Sequence, residues 1–79
     1  MGVNDSQDLK TLGQRIRDRR KSLQWTQETL ADRAGIDRSY MGGIERGERN
    51  ITFSVLCQIC IALQCDIAQL TAGIPEINL

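Results

Sequence analysis

A chain of 79 residues holding ten Lys and Arg, ten Asp and Glu and no His reads as one small domain with a formal net charge of zero. No apolar run approaches the ~20 residues of a membrane span, and no secretory leader pattern stands at the start, so the cytoplasm is the expected compartment. Without histidine, a nucleophile beside a base or a phosphate-cradling glycine loop, the composition argues against an enzyme, and no cofactor or metal is expected.

Residues 1–8 are polar and are expected to form a flexible N-terminal segment. Met1-Gly2-Val3-Asn4-Asp5-Ser6 has the form of a myristoylation signal, but Asp5 and Asp8 would repel an anionic membrane, so no membrane partner is expected. Leu9, Leu12, Ile16 and Leu23 share one stripe and predict a first helix over 9–22, with Arg15, Arg17, Arg19, Arg20 and Lys21 on its other faces. Thr26 can cap a second helix over 27–34, and Trp25 and Leu30 have the spacing of a hydrophobic staple. Gly35 can take a positive φ that ends this helix sharply. Asp37 then caps a third helix over 38–46, with Ile36 and Met41 as its staple. Leu30, Ala31, Ala34, Met41 and Ile44 face inward, and the two alanines are small enough to let the helices approach closely.

Gly47 stops the third helix and opens a polar loop through Asn50. Thr52 caps a fourth helix whose inward side is read as Phe53, Leu56, Ile59, Cys60 and Leu63. Asp66 caps a short fifth helix with Ile67 and Leu70, closed by Gly73, and residues 74–79 form an apolar tail with Ile74, Ile77 and Leu79. No strand alternation occurs. The expected fold is therefore all-α, four to five short helices in one domain over 9–73. Helices two and three form a helix-turn-helix, the unit that lays its second helix in the DNA major groove.

The charge distribution points the same way. All ten basic residues lie between Lys10 and Arg49 against six acids, so this segment is basic by four, and the ends carry the remaining acids. Arg38, Ser39 and Tyr40 open the third helix, where side chains meet base edges, and they are the candidate base contacts. An arginine there can pair with guanine O6 and N7. Tyr40 has two roles open to it, contact with a sugar or methyl group and packing on the domain surface. Gly42 and Gly43 are costly inside a helix and read as a close approach to the groove. Cys57 and Cys60 spell C-x-x-C with Cys65 nearby. With no fourth ligand and helical placement they read as packing thiols, and redox sensing is the alternative.

Thr26-Gln27-Glu28, Leu30-Ala31, Gly35, Ser39-Tyr40-Met41 and Ile44-Glu45-Arg46-Gly47 together resemble the lambda-repressor-like, Xre-type family of bacterial and phage transcription regulators. A narrower resemblance is to controller proteins of restriction–modification systems, through Asp37-Arg38-Ser39-Tyr40 and Arg46-Gly47-Glu48-Arg49-Asn50-Ile51. The resemblance implies phosphate contacts at Gln27, Arg46, Arg49 and Asn50. It also implies an ion pair between Arg20 and Glu45 that fixes the recognition helix on its scaffold. At the position of Gly43 the wider family often carries a base-contacting side chain that is absent here.

A single recognition helix reads too few base pairs for useful specificity, so a homodimer on double-stranded DNA with an inverted-repeat operator is expected. Ile67, Leu70, Ile74 and Ile77 are the candidate dimer interface, Ile67 and Leu70 being equally suited to closing the monomer core. No small-molecule ligand is evident. An antitoxin-like protein-interaction module is the competing reading of the same fold.

Overall fold

The computed structural model of the chain describes residues 5–77. The start of the acylation pattern and Leu79 lie outside the described residues. Five helices follow one another: α1 (Asp5–Ser22), α2 (Gln27–Ala34), α3 (Arg38–Glu45), α4 (Phe53–Leu63) and α5 (Ile67–Thr71), with no strand among the described residues. α1 begins at Asp5, not at residue 9, so the expected flexible segment is already helical over 5–8. Asp8 stands near the start of that helix, where a carboxylate complements the helix dipole.

Local chemistry explains most of the boundaries. Thr26, Asp37, Thr52 and Asp66 each accept a backbone N–H of the first turn they precede. Asp66 and Gln69 complete a reciprocal capping box. Gly35 ends α2 in the left-handed region at φ 68°, and its N–H reaches back to carbonyls of α2. Two glutamines do the same work without being glycine: Gln24 after α1 and Gln64 after α4 both have positive φ. α3 closes at Glu45, with Arg46 as its cap and Gly47 at φ 75° just beyond.

Ile16, Leu30, Met41, Ile59 and Leu63 are the largest fully buried side chains, surrounded by Ala31, Ala34, Ile44, Leu56, Cys60 and Leu70. α3 lies between α1 and α2, α4 packs on α2, and α5 bridges α1 and α4. Two expectations need correction. Phe53 is 71% exposed, because the first residue of α4 lies on the stripe shared by Cys57 and Ile61, away from the Leu56–Ile59–Leu63 face. Leu70 is 3% exposed and belongs to the monomer core, so it offers no surface to a partner.

α1 crosses α3 at backbone contact distance. A Cβ on Gly13 would run into the carbonyl oxygen of Ile44 and lie 2.6 Å from that of Glu45. Only hydrogen fits there. Two arginines of α1 are spent on neighbouring helix ends: Arg15 donates to the Leu70 and Ala72 carbonyls, and Arg19 to those of Leu63 and Gln64. Cations at helix C-termini satisfy orphan carbonyls and oppose the dipole. These two side chains therefore staple α1 to α4 and α5 rather than adding to a free basic face.

Candidate nucleic-acid interface

The rigid part of the interface is a buried polar junction under α3. Arg20 on α1 donates from Nε to Glu45 Oε2 at 2.7 Å and from Nη2 to Glu45 Oε1 at 2.9 Å. Its third nitrogen donates to the Trp25 carbonyl at 2.8 Å. Gln27 on α2 adds a hydrogen bond from Nε2 to Glu45 Oε1 at 3.0 Å. Both side chains of the pair are almost wholly buried, and the Glu45 hydrogen bond holds the Arg20 pKa above its ordinary value despite burial. One carboxylate thus accepts from two helices while belonging to a third. Such a bidentate fork fixes direction as well as distance. The junction ties α1, α2 and the C-terminal end of α3 together.

The outer surface grows from the N-terminus of α3. Asp37 accepts from the backbone N–H groups of Ser39 and Tyr40 and from the Ser39 hydroxyl. These donors, the hydroxyl first, lower the Asp37 pKa. The Ser39 hydroxyl proton is therefore engaged within the cap. What Ser39 offers outward is lone pairs, which suit a donor such as a base amino group and not a phosphate oxygen. Arg38 beside it is exposed.

Arg38, Ser39, Gln27 and Arg46 line one surface depression together with Asp37 and Gly42. Four of the seven residues expected at DNA are thereby brought to one place. Tyr40 is half-buried and packs against the core, with the Arg49 guanidinium 5.6 Å from its ring centre. Arg49 and Asn50 are exposed on the loop after α3, and Arg46 pairs loosely with Glu48 at 3.2 Å. Gln27 has one amide hydrogen committed to Glu45, which leaves a second free.

Gly42 and Gly43 differ from the expectation of an open approach to the groove. Both are buried beneath the chain's own side chains. A Cβ on Gly42 would meet Arg46 Nη1 and Gln27 Oε1, and one on Gly43 would lie 2.9 Å from Arg49 Cγ. Sequence reasoning missed this floor because the arginines that cover it lie beyond the end of the helix. The Cys60 thiol is quiet by comparison. All three cysteines are free, and burial pushes the Cys60 thiol up to about 11, away from the reactive thiolate. Among the described residues no group of side chains has the form of a metal site.

A family model described as helix-turn-helix, HTH_3, matches residues 16–70. The control protein C.SmaI of Serratia marcescens is 38% identical over 64 residues, which is 80% of this chain and 76% of that one. The crystal structure of the restriction–modification controller protein C.AhdI from Aeromonas hydrophila superposes with a TM-score of 0.79 at 42% identity, over 81% of this chain and 97% of that one. The controller protein C.Esp1396I, solved as a tetramer with its natural 35 base-pair operator, matches with a TM-score of 0.72 at 35% identity, over 76% and 79% of the two chains.

Proposed function

The chain belongs to the HTH_3 helix-turn-helix family, and from that premise we propose that it is a transcription regulator that binds operator DNA as a homodimer. One observation carries the reading. An exposed, Asp37-capped helix N-terminus bears Arg38 and Ser39, shares a depression with Gln27 and Arg46, and is locked to its scaffold by the Arg20–Glu45–Gln27 junction. A helix entering the major groove needs those two properties, outward polar groups at its start and a fixed orientation. Arg38 reads a base, Ser39 accepts from one, and Tyr40 contacts a sugar or methyl group beside them. Gln27, Arg46 and Asn50 hold the phosphates and set the register.

The similarity to restriction–modification controllers supports control of such genes as the biological setting. The protein works in the cytoplasm with no catalytic step. Its dimer interface is the α5 and tail face, where Ile77 is 70% exposed and Ile67 and Ile74 are half-buried.

Salt dependence tests the reading against a protein-interaction module. Fluorescence anisotropy on duplexes selected from the source genome should show affinity falling steeply between ~50 and ~200 mM salt, because cations on the binding face release counterions from the phosphates. Affinity that ignores salt, or no binding to any duplex, would favour the interaction module instead.

A further inference from the structure

Arg49 belongs by sequence to the loop that follows α3, yet its guanidinium does not stay there. It lies over the ring of Tyr40, in the first turn of α3. To reach that point the side chain runs back along the helix, and its stem passes directly over Gly43. The ideal Cβ of any other residue at 43 would lie 2.9 Å from Arg49 Cγ and 3.2 Å from Nε. Cγ is the near part of the stem and not a tip that can swing aside, so a side chain at 43 and this course of Arg49 exclude one another. Gly43 has no left-handed backbone that would call for glycine: its φ is not among the positive values, which fall at Gly35, Gly47 and Gly73. The conformation is ordinary helix, where glycine is a poor choice on propensity. The missing side chain thus finds its reason in the space, which Arg49 fills.

We propose that Gly43 is a specificity-determining positioning residue: its empty face is the slot that carries Arg49 back onto Tyr40 and places a second arginine among the base-reading groups at the start of α3. Tyr40 and Gly43 are one helical turn apart on a common face, and Ser39 stands four residues before Gly43 on the same side. The ring of Tyr40 and the floor at Gly43 together pre-organise the guanidinium, which lowers the entropy lost on engaging a base edge. Arg49 then supplies the side chain that α3 lacks at its centre. This deepens the operator-binding reading and rests on it.

The test is selection of bound sequences from a random duplex library, followed by titration on the recovered operator and on random DNA. The chains compared are the wild type, Arg49→Ala, Arg49→Lys, Gly43→Ala and the Arg49→Ala/Gly43→Ala double variant. Arg49→Ala should lower the operator-to-random affinity ratio by about tenfold or more and relax the preference at the same base position in each half-site. Gly43→Ala should relax that same position although its charge is unchanged, and the double variant should lose no more than Arg49→Ala alone. Arg49→Lys should keep affinity for random DNA and lose the ratio. Thermal unfolding of Gly43→Ala should match or exceed the wild type, since alanine favours helix, so a misfolded protein is not the expected source of the loss.

A wild-type base preference in Gly43→Ala would overturn the proposal. So would equal losses on operator and random DNA in Arg49→Ala, which would make Arg49 a phosphate contact, and so would losses that add in the double variant. A wild type with no sequence preference at all would overturn the operator-binding reading itself and the proposal with it.

Discussion

Arg38 and Ser39 sit side by side at the start of α3, and their chemistry differs in a way that only the structure exposes. Arg38 is a free, exposed donor fork, whereas Ser39 donates its hydroxyl hydrogen in a hydrogen bond to Asp37. Arg38→Ala should therefore reduce operator affinity by ~1–3 kcal/mol, far more than it reduces affinity for random DNA. Competition titrations with the two duplexes measure this, and equal losses would remove Arg38 from the base readers. Asp37 gives a pH signature. Its carboxylate is held by three donors, so its folded pKa lies below that of the unfolded chain. The stability this contributes is present above the usual carboxylate range and is lost as pH falls through the lowered folded value. Asp37→Asn keeps a capping oxygen without a titrating charge. Denaturant midpoints from neutral pH downward should fall less steeply in Asp37→Asn than in the wild type, and identical acid profiles would contradict the assignment.

At the scale of helices, the crossing of α1 over α3 is the contact that aims the recognition helix. Gly13 lets it happen, because carbonyl oxygens of Ile44 and Glu45 occupy the place of its Cβ. Gly13→Ala must push α1 off α3 and strain the adjoining Arg20–Glu45 fork. The expected cost is ~1–3 kcal/mol of stability from overpacking, read by urea denaturation, and an unchanged midpoint would show that α1 yields freely. The caps at Thr26, Asp37, Thr52 and Asp66 were legible in the sequence because capping is decided within three residues. The inward faces of α2 and α3 were legible because their apolar period is unambiguous. Phe53 was misread because a residue at a helix start can join either of two stripes, and only packing chooses. Gln24 and Gln64 end helices in a conformation that composition assigns to glycine or asparagine, so those ends carried no sequence signal. The arginine floor on Gly42 and Gly43 was invisible for a further reason: it joins residues across a helix end whose geometry no local period encodes.

The whole molecule has zero net charge yet is built to meet a polyanion. Arg15 and Arg19 are consumed by helix ends and Arg20 by Glu45. Seven cations remain exposed, Lys10, Arg17, Lys21, Arg33, Arg38, Arg46 and Arg49, and of these Arg38, Arg46 and Arg49 gather around the recognition helix. So few cations at the recognition helix itself make a weak non-specific binder, and doubling them across a two-fold axis gives both affinity and a longer site. The apolar tail residue Ile77 and the half-buried Ile67 and Ile74 are the surface proposed for that axis. The most direct test of two-fold operator binding is the sequence logo recovered by selecting random duplexes against the wild-type protein. Two-fold binding predicts an inverted repeat whose half-sites are centred about one helical turn apart, ~34 Å along the duplex. A single asymmetric half-site, or no consensus at all, would contradict it.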